Sequence, residues 1–177
     1  GHKLMEETIT ALATPEGKSG LSVIRVSGPR ALHIANRIFK PNSRKNESLT
    51  PWQARSGWLS DPRTGTIVDE VIILYFKAPK SYTGEDLIEI SCHGALYIQQ
   101  RILELLVSAG ARLADPGEFT MRAFMNGKMD LSQAEAVADL IASSSAASHK
   151  VAMNQMRGGF SSELARLREQ LLNFISL

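Results

Sequence analysis

Arg25 and Glu89 each interrupt an apolar strand pattern with a full charge. Arg25 shares a strand face with Leu21 and Val23, and Glu89 shares one with Leu87 and Ser91. A charge on a buried sheet face costs free energy unless a partner matches it. Two readings stay open: either these faces are solvated or the charges are paired, or the sheet face lines a ligand cleft. Cys92-His93 has the residue types of a nucleophile and its base. Strand neighbours point to opposite faces, so the two meet only if the backbone turns. The simpler reading is a buried thiol beside a strand-end histidine that hydrogen-bonds backbone. Gly17-Lys18-Ser19 resembles the end of a phosphate-binding loop, but Leu12 stands where that loop needs its first glycine. No nucleotide site is expected there. Lys128 sits in the connection Asn126-Gly127-Lys128-Met129-Asp130, where a lone lysine is ordinarily solvated. His33 and His149 have no metal partner at helical spacing, and the single cysteine excludes an internal disulfide and a multi-cysteine zinc site. No metal site is expected.

These side chains need elements to carry them. Thr8 to Ala13 and Leu21 to Val26 read as strands, separated by the turn-rich stretch from Thr14 to Gly20. Ser27 is the expected N-cap of a helix that has Pro29 in its first turn and Leu32, Ala35, Ile38 and Phe39 at helical spacing. Pro41 to Pro51 reads as a polar surface connection. Trp52 to Leu59 and Ile67 to Phe76 form an expected antiparallel hairpin around Asp61-Pro62-Arg63-Thr64-Gly65. Leu87 to Cys92 is another strand. Ala95 to Ser108 is an amphipathic helix through Ile98, Ile102, Leu105 and Leu106, closed by Gly110, with a short strand at Ala111 to Leu113.

The pattern changes at Pro116, after which no strand signal appears. Glu118 to Met125 is a short helix stopped by Asn126-Gly127. Ser132-Gln133-Ala134-Glu135 fits a capping box, and Ala134, Val137, Ala138 and Ile141 form the next apolar face. Ser143-Ser144-Ser145 reads as a joint before a long helix with a seam of Met153, Met156, Phe160, Leu164, Leu167, Leu171 and Phe174. Gly158-Gly159 within it costs roughly 1 kcal/mol per glycine, which a bend or a close helix approach would explain. The seam is expected to self-associate. The chain stops at Leu177 in mid-pattern, so a truncated piece of a longer protein is expected. The fold class is α+β: a mixed α/β domain over 5–117, then helices over 118–177. Gly1 to Leu4 reads as an expression remnant, with Met5 as the native start.

With 177 residues, 44% of them hydrophobic and 21% charged, the composition is that of a globular protein and excludes wholesale disorder. Twenty Lys and Arg against 18 Asp and Glu leave a net charge of +2. That is too small for a strong nonspecific grip on nucleic acid. No apolar run approaches the ~20 residues of a membrane span, so a soluble cytoplasmic protein is expected.

Several blocks together resemble the bacterial tRNA-modification GTPase family called MnmE or TrmE. They are Thr14-Pro15-Glu16-Gly17, Ile24-Arg25-Val26-Ser27-Gly28, Tyr82-Thr83-Gly84-Glu85-Asp86 with Glu89 and His93-Gly94, and Pro116-Gly117-Glu118-Phe119-Thr120 with Arg122-Ala123-Phe124. Asn126-Gly127-Lys128-Met129-Asp130-Leu131 and Gln133-Ala134-Glu135-Ala136 complete the set. Ser19 and Ala95 depart from the family's usual glycines, Met125 and Met129 from its leucines, and Asp115 from a frequent basic residue.

The resemblance implies an N-terminal domain like the folate-binding domain of glycine-cleavage aminomethyltransferase, followed by the first helices of a helical domain. It implies binding of 5-formyltetrahydrofolate or 5,10-methylenetetrahydrofolate, with Arg25, Glu89 and Lys128 as the ligand contacts. It also implies a homodimer, a flavoprotein partner, MnmG, and tRNA in the full complex. The family's activity is hydrolysis of GTP coupled to installing an aminomethyl-type group on carbon 5 of the wobble uridine. GTP, Mg and K enter only through a GTPase domain whose motifs this sequence lacks. The rival expectations are a self-contained folate-dependent transferase and a pure interaction domain.

Overall fold

The computed structural model describes residues 6–18, 20–43 and 48–148, with 143–148 as backbone alone. The expectations for Gly1 to Leu4, Ser19, His149, the final apolar seam and Gly158-Gly159 lie outside the described residues. The chain divides into two units, Gly1–Ser81 with Glu85–Leu113, and Tyr82–Gly84 with Ala114–Leu177.

The first unit carries the strands β1 (Ile9–Leu12), β2 (Leu21–Ser27), β3 (Phe39–Pro41), β4 (Arg55–Ser60), β5 (Ile67–Phe76), β6 (Leu87–His93) and β7 (Arg112–Leu113). They form one seven-stranded sheet in the order β3-β4-β5-β6-β2-β1-β7. All neighbouring pairs are antiparallel except β1 with β7. Period-two alternation gives the sheet one apolar face. Ile24, Val26, Val71, Ile73, Ile88 and Ile90 pack there with Ile34 and Ile38 of α1 (Ala31–Ile38) and Ile102 and Leu106 of α2 (Leu96–Ser108). The β4–β5 hairpin turns as expected. The Asp61 N–H donates to the Thr66 carbonyl at 2.9 Å, the Gly65 N–H to the Asp61 carbonyl at 2.8 Å, and Gly65 takes φ +73°.

The structure corrects several local expectations. Ser27 is the last residue of β2, not an N-cap; its hydroxyl donates to Glu85 Oε1 at 2.9 Å. The cap position of α1 falls to Arg30, whose backbone N–H donates to the Thr8 hydroxyl at 2.9 Å. Trp52 does not begin a strand, because its φ of 68° is left-handed, and β4 starts at Arg55. Phe39 leaves the helix for the edge strand β3, which pairs with Lys40 opposite Trp58. Three residues are too few to show a period, and an edge strand tolerates Pro41.

The second unit contains α3 (Glu118–Met125) and α4 (Leu131–Ser148), with the segment Tyr82–Gly84. The Gly127 N–H donates to the Phe124 carbonyl at 3.0 Å and the Lys128 N–H to the Ala123 carbonyl at 2.8 Å. With Gly127 at φ +71°, this is a Schellman ending of α3. The capping box of α4 lies two residues earlier than expected. The Gln133 N–H donates to Asp130 Oδ1 at 2.8 Å, and the Asp130 N–H donates back to Gln133 Oε1 at 3.0 Å. Ser132 and Glu135 therefore sit inside the helix. Ser143-Ser144-Ser145 is no joint, since α4 runs through it to Ser148. The architecture is α+β, as expected from the sequence.

Candidate functional site

β2 and β6 pair so that Arg25 stands directly opposite Glu89, with Ala11 of β1 and Leu74 of β5 completing the row. Directly opposed side chains on an antiparallel pair lie about 5 Å apart at Cβ, close enough for two long side chains to join. The Arg25 Nε donates to Glu89 Oε1 at 3.0 Å. The row lies on the sheet face away from α1 and α2, and the two side chains are 32% and 26% exposed. The charges are thus both paired and half-solvated, which keeps the cost of holding them low. Glu89 Oε2 has no hydrogen-bond partner among the described residues. A carboxylate so placed can accept an N–H from a heterocycle with one oxygen while the other stays fixed by the guanidinium.

Around this row the open face exposes three large apolar side chains among polar ones such as Ser91 and Glu70. Leu21 is 59% exposed, Ile72 53% and Trp58 38%. Ile72 shares a row with Ser91 and Val23, next to that of Glu89 and Arg25.

Cys92 and His93 do not form a nucleophile and base. Cys92 points into the core and is 1% exposed. Burial, reinforced by the Asp69 charge, pushes its thiol up to about 11. His93 differs in detail from the expected backbone-bonded residue. Its backbone N–H donates to Asp69 Oδ2 at 2.9 Å, and its Nδ1 lies 2.8 Å from Asp69 Oδ1. The Gly17 region does not resemble a phosphate cradle either. The Gly17 N–H donates to Gln99 Oε1 at 3.3 Å, and Gln99 Nε2 donates to the Gly17 carbonyl at 3.0 Å and to Ser22 Oγ at 2.6 Å. A backbone donor that a phosphate loop would use is taken by a buried amide.

Lys128 belongs to the second unit and is exposed. Its side chain runs beside Gly84, where a Cβ would lie 3.5 Å from Lys128 Cε and 2.7 Å from Asn126 Cβ. Asn126 Nδ2 donates to the Thr83 carbonyl at 2.8 Å. In the same unit, Glu118 and Arg122 form an ion pair at 3.2 Å with side chains 2% and 0% exposed. Glu118 Oε1 also accepts the Asp115 N–H at 2.9 Å.

Sequence reasoning missed the partners rather than the charges. Asp69 carries no signal of its own, Glu85 stands out only within a family block and Asn126 only as a helix stop, and Gln99 carries an unused one: a polar residue on the buried stripe of α2. Ala95, a departure from the family's glycine, sits at φ −98° and ψ 136°, which alanine adopts freely. Met125 and Met129 pack against the cluster of Phe124 and Ala134 as aliphatic substitutes.

Two grooves flank α2. One of about 740 Å³ is lined by Gln100, Leu103, Glu104, Val107, Ser108 and Leu113, and one of about 340 Å³ by residues including Leu12, Thr14 and Gln99. Arg25, Glu89 and Lys128 line neither. No helix among the described residues is long and apolar enough to cross a membrane.

Comparison with known proteins gives two adjoining matches. A family model described as the GTP-binding protein TrmE N-terminus matches residues 8–128, and one for the MnmE helical domain matches 131–177. A tRNA modification GTPase MnmE of Flavobacterium johnsoniae is 58% identical over 175 residues, covering 97% of this chain and 37% of the relative. Its counterpart in Parabacteroides distasonis is 58% identical over 173 residues, 96% of this chain and 37% of its own length. That of Christiangramia forsetii is 55% identical over 175 residues, 98% and 36% respectively. The chain therefore spans little more than a third of the relatives it matches. The two matches together run from residue 8 to residue 177, and the chain belongs to the TrmE/MnmE family.

Proposed function

We propose that this chain is the tetrahydrofolate-binding and dimerising part of a GTPase that modifies carbon 5 of the tRNA wobble uridine. Residues 5–117 form the folate-binding and dimerisation domain, and 118–177 begin a helical domain. The observation that carries the reading is the half-exposed Glu89 carboxylate, fixed through one oxygen by Arg25 and open at the other. A pterin presents adjacent N–H donors on one edge, and a carboxylate accepts such donors well. Glu89 takes that edge, while Arg25 and Lys128 meet oxygen acceptors on the rest of the ligand. The carrier, as the 5-formyl or 5,10-methylene form, supplies the one-carbon unit when bound. Glu89 orients the ring, and the two cations hold the oxygens.

The parent protein acts in the cytoplasm as a homodimer with the flavoprotein MnmG and tRNA. The relatives' printed names, each a tRNA modification GTPase, support that activity. Exposed Leu21, Ile72 and Trp58 on the open sheet face offer apolar surface that self-association could cover. GTP, Mg and K act outside this chain.

Calorimetric titration of the chain with 5-formyltetrahydrofolate, and separately with GTP, tests the reading. Saturable folate binding and no GTP binding are expected, the latter because Leu12 and the Gly17–Gln99 contact leave no phosphate loop. A folded chain that ignores folate, or that binds GTP, contradicts it.

A further inference from the structure

Lysine is a poor anchor unless something orders it. Four rotatable bonds scatter its ammonium, and a point charge carries no directional fork like that of arginine. In the second unit the backbone of Lys128 is fixed first. The Schellman ending of α3 ties its N–H to Ala123, and Gly127 supplies the left-handed turn at φ +71°. The side chain then passes Gly84. Gly84, at φ +79°, leaves the space that Asn126 uses, since a Cβ there would sit 2.7 Å from Asn126 Cβ, while Lys128 Cε, at 3.5 Å from the same point, passes at ordinary contact distance.

The segment Tyr82–Gly84 is itself held at two of its three residues. Asn126 Nδ2 donates to the Thr83 carbonyl at 2.8 Å, and the Tyr82 hydroxyl lies 3.1 Å from Thr120 Oγ1 on α3. Asn126 is thus bonded to the backbone one residue before the glycine that the stem of Lys128 passes. It is also the C-cap residue of the helix whose next turn presents Lys128.

We infer that Asn126 is a positioning residue for Lys128: it holds the Thr83-Gly84 backbone as the rest on which the lysine side chain is aimed. The inference builds on the folate reading, in which Lys128 contacts the ligand. Asn126 touches no ligand in this account and acts only through the lysine. That separates it from a merely structural clamp, which would weaken binding whether or not the lysine is present.

A double-mutant cycle on the full 177-residue chain distinguishes the two. The probe is 5-formyltetrahydrofolate, titrated calorimetrically into the parent, Lys128→Ala, Asn126→Ala and the double variant, each first checked for native circular dichroism. Lys128→Ala is expected to weaken binding roughly tenfold, as for a lost charge-assisted hydrogen bond. Asn126→Ala is expected to weaken it about threefold or more, and the double variant no further than Lys128→Ala alone. Asn126→Ser, too short to reach the Thr83 carbonyl, should match Asn126→Ala and serves if the alanine variant does not fold.

Parent-like binding by Asn126→Ala or Asn126→Ser overturns the inference. So does an equal loss in both backgrounds. If Lys128→Ala binds like the parent while Glu89→Ala does not, the inference falls and the folate reading stands. If the parent chain itself does not bind, both fall.

Discussion

At the scale of single residues, the two charges inside apolar strands were legible because burial makes such residues conspicuous. Their mutual pairing was one of the readings left open. What decides it is the register of β2 against β6, which sets Arg25 opposite Glu89 and which no local pattern contains. Cys92 shows the same limit. Alternation alone puts it in the core, yet its carboxylate neighbour Asp69 comes from β5. Its thiol, raised to about 11 from a reference of 9.0, stays protonated at neutral pH. Iodoacetamide at pH 7.5 should therefore leave Cys92 largely unmodified in the native chain and label it in urea; mass spectrometry reads the difference. Rapid native labelling contradicts the burial. The linkage has a definite sign. The folded thiol has the higher pKa, so this contribution to stability is present below pH 9 and is lost as pH rises towards 11.

At the scale of elements, Ile67–Phe76 and Glu118–Met125 have the bounds expected from the sequence, whereas elements whose ends rest on distant contacts do not. β5, α3 and most of α2 follow from hydrophobic spacing, whereas Trp52, Ser27 and β3 depend on contacts from distant residues. The α4 box shows why. Ser132-Gln133-Ala134-Glu135 and Asp130-Leu131-Ser132-Gln133 both satisfy the same four-residue rule, and the Gly127 turn places Asp130 at the helix entrance. Asp130→Ala should thus cost about 1 kcal/mol in urea unfolding, while Ser132→Ala should stay within about 0.5 kcal/mol. The reverse order would return the cap to Ser132. Gly57 gives a sharper case. An added Cβ would lie 2.2 Å from the Lys40 carbonyl and 2.6 Å from the Phe39 ring, so Gly57→Ala should destabilise by about 1–3 kcal/mol through the β3–β4 edge. A neutral outcome would show that β3 detaches at little cost.

At the scale of the whole molecule, composition indicates a globular chain, strand and helix periods indicate the α+β class, and the family comes from the quoted blocks, which no period contains. Two features bear on assembly: the exposed Leu21, Ile72 and Trp58 on the open face of the sheet, and the chain's span of little more than a third of its relatives. Light scattering should report a mass near twice 19.4 kDa at micromolar concentration, and a strictly monomeric mass contradicts the proposed dimer. Folate binding, though, turns on one carboxylate, that of Glu89. The direct measurement is the dissociation constant of 5-formyltetrahydrofolate for the parent chain beside Glu89→Ala, with circular dichroism confirming that both are folded. Loss of the charge-assisted contact should weaken binding roughly tenfold or more. A folded Glu89→Ala chain that binds folate as tightly as the parent would contradict the account.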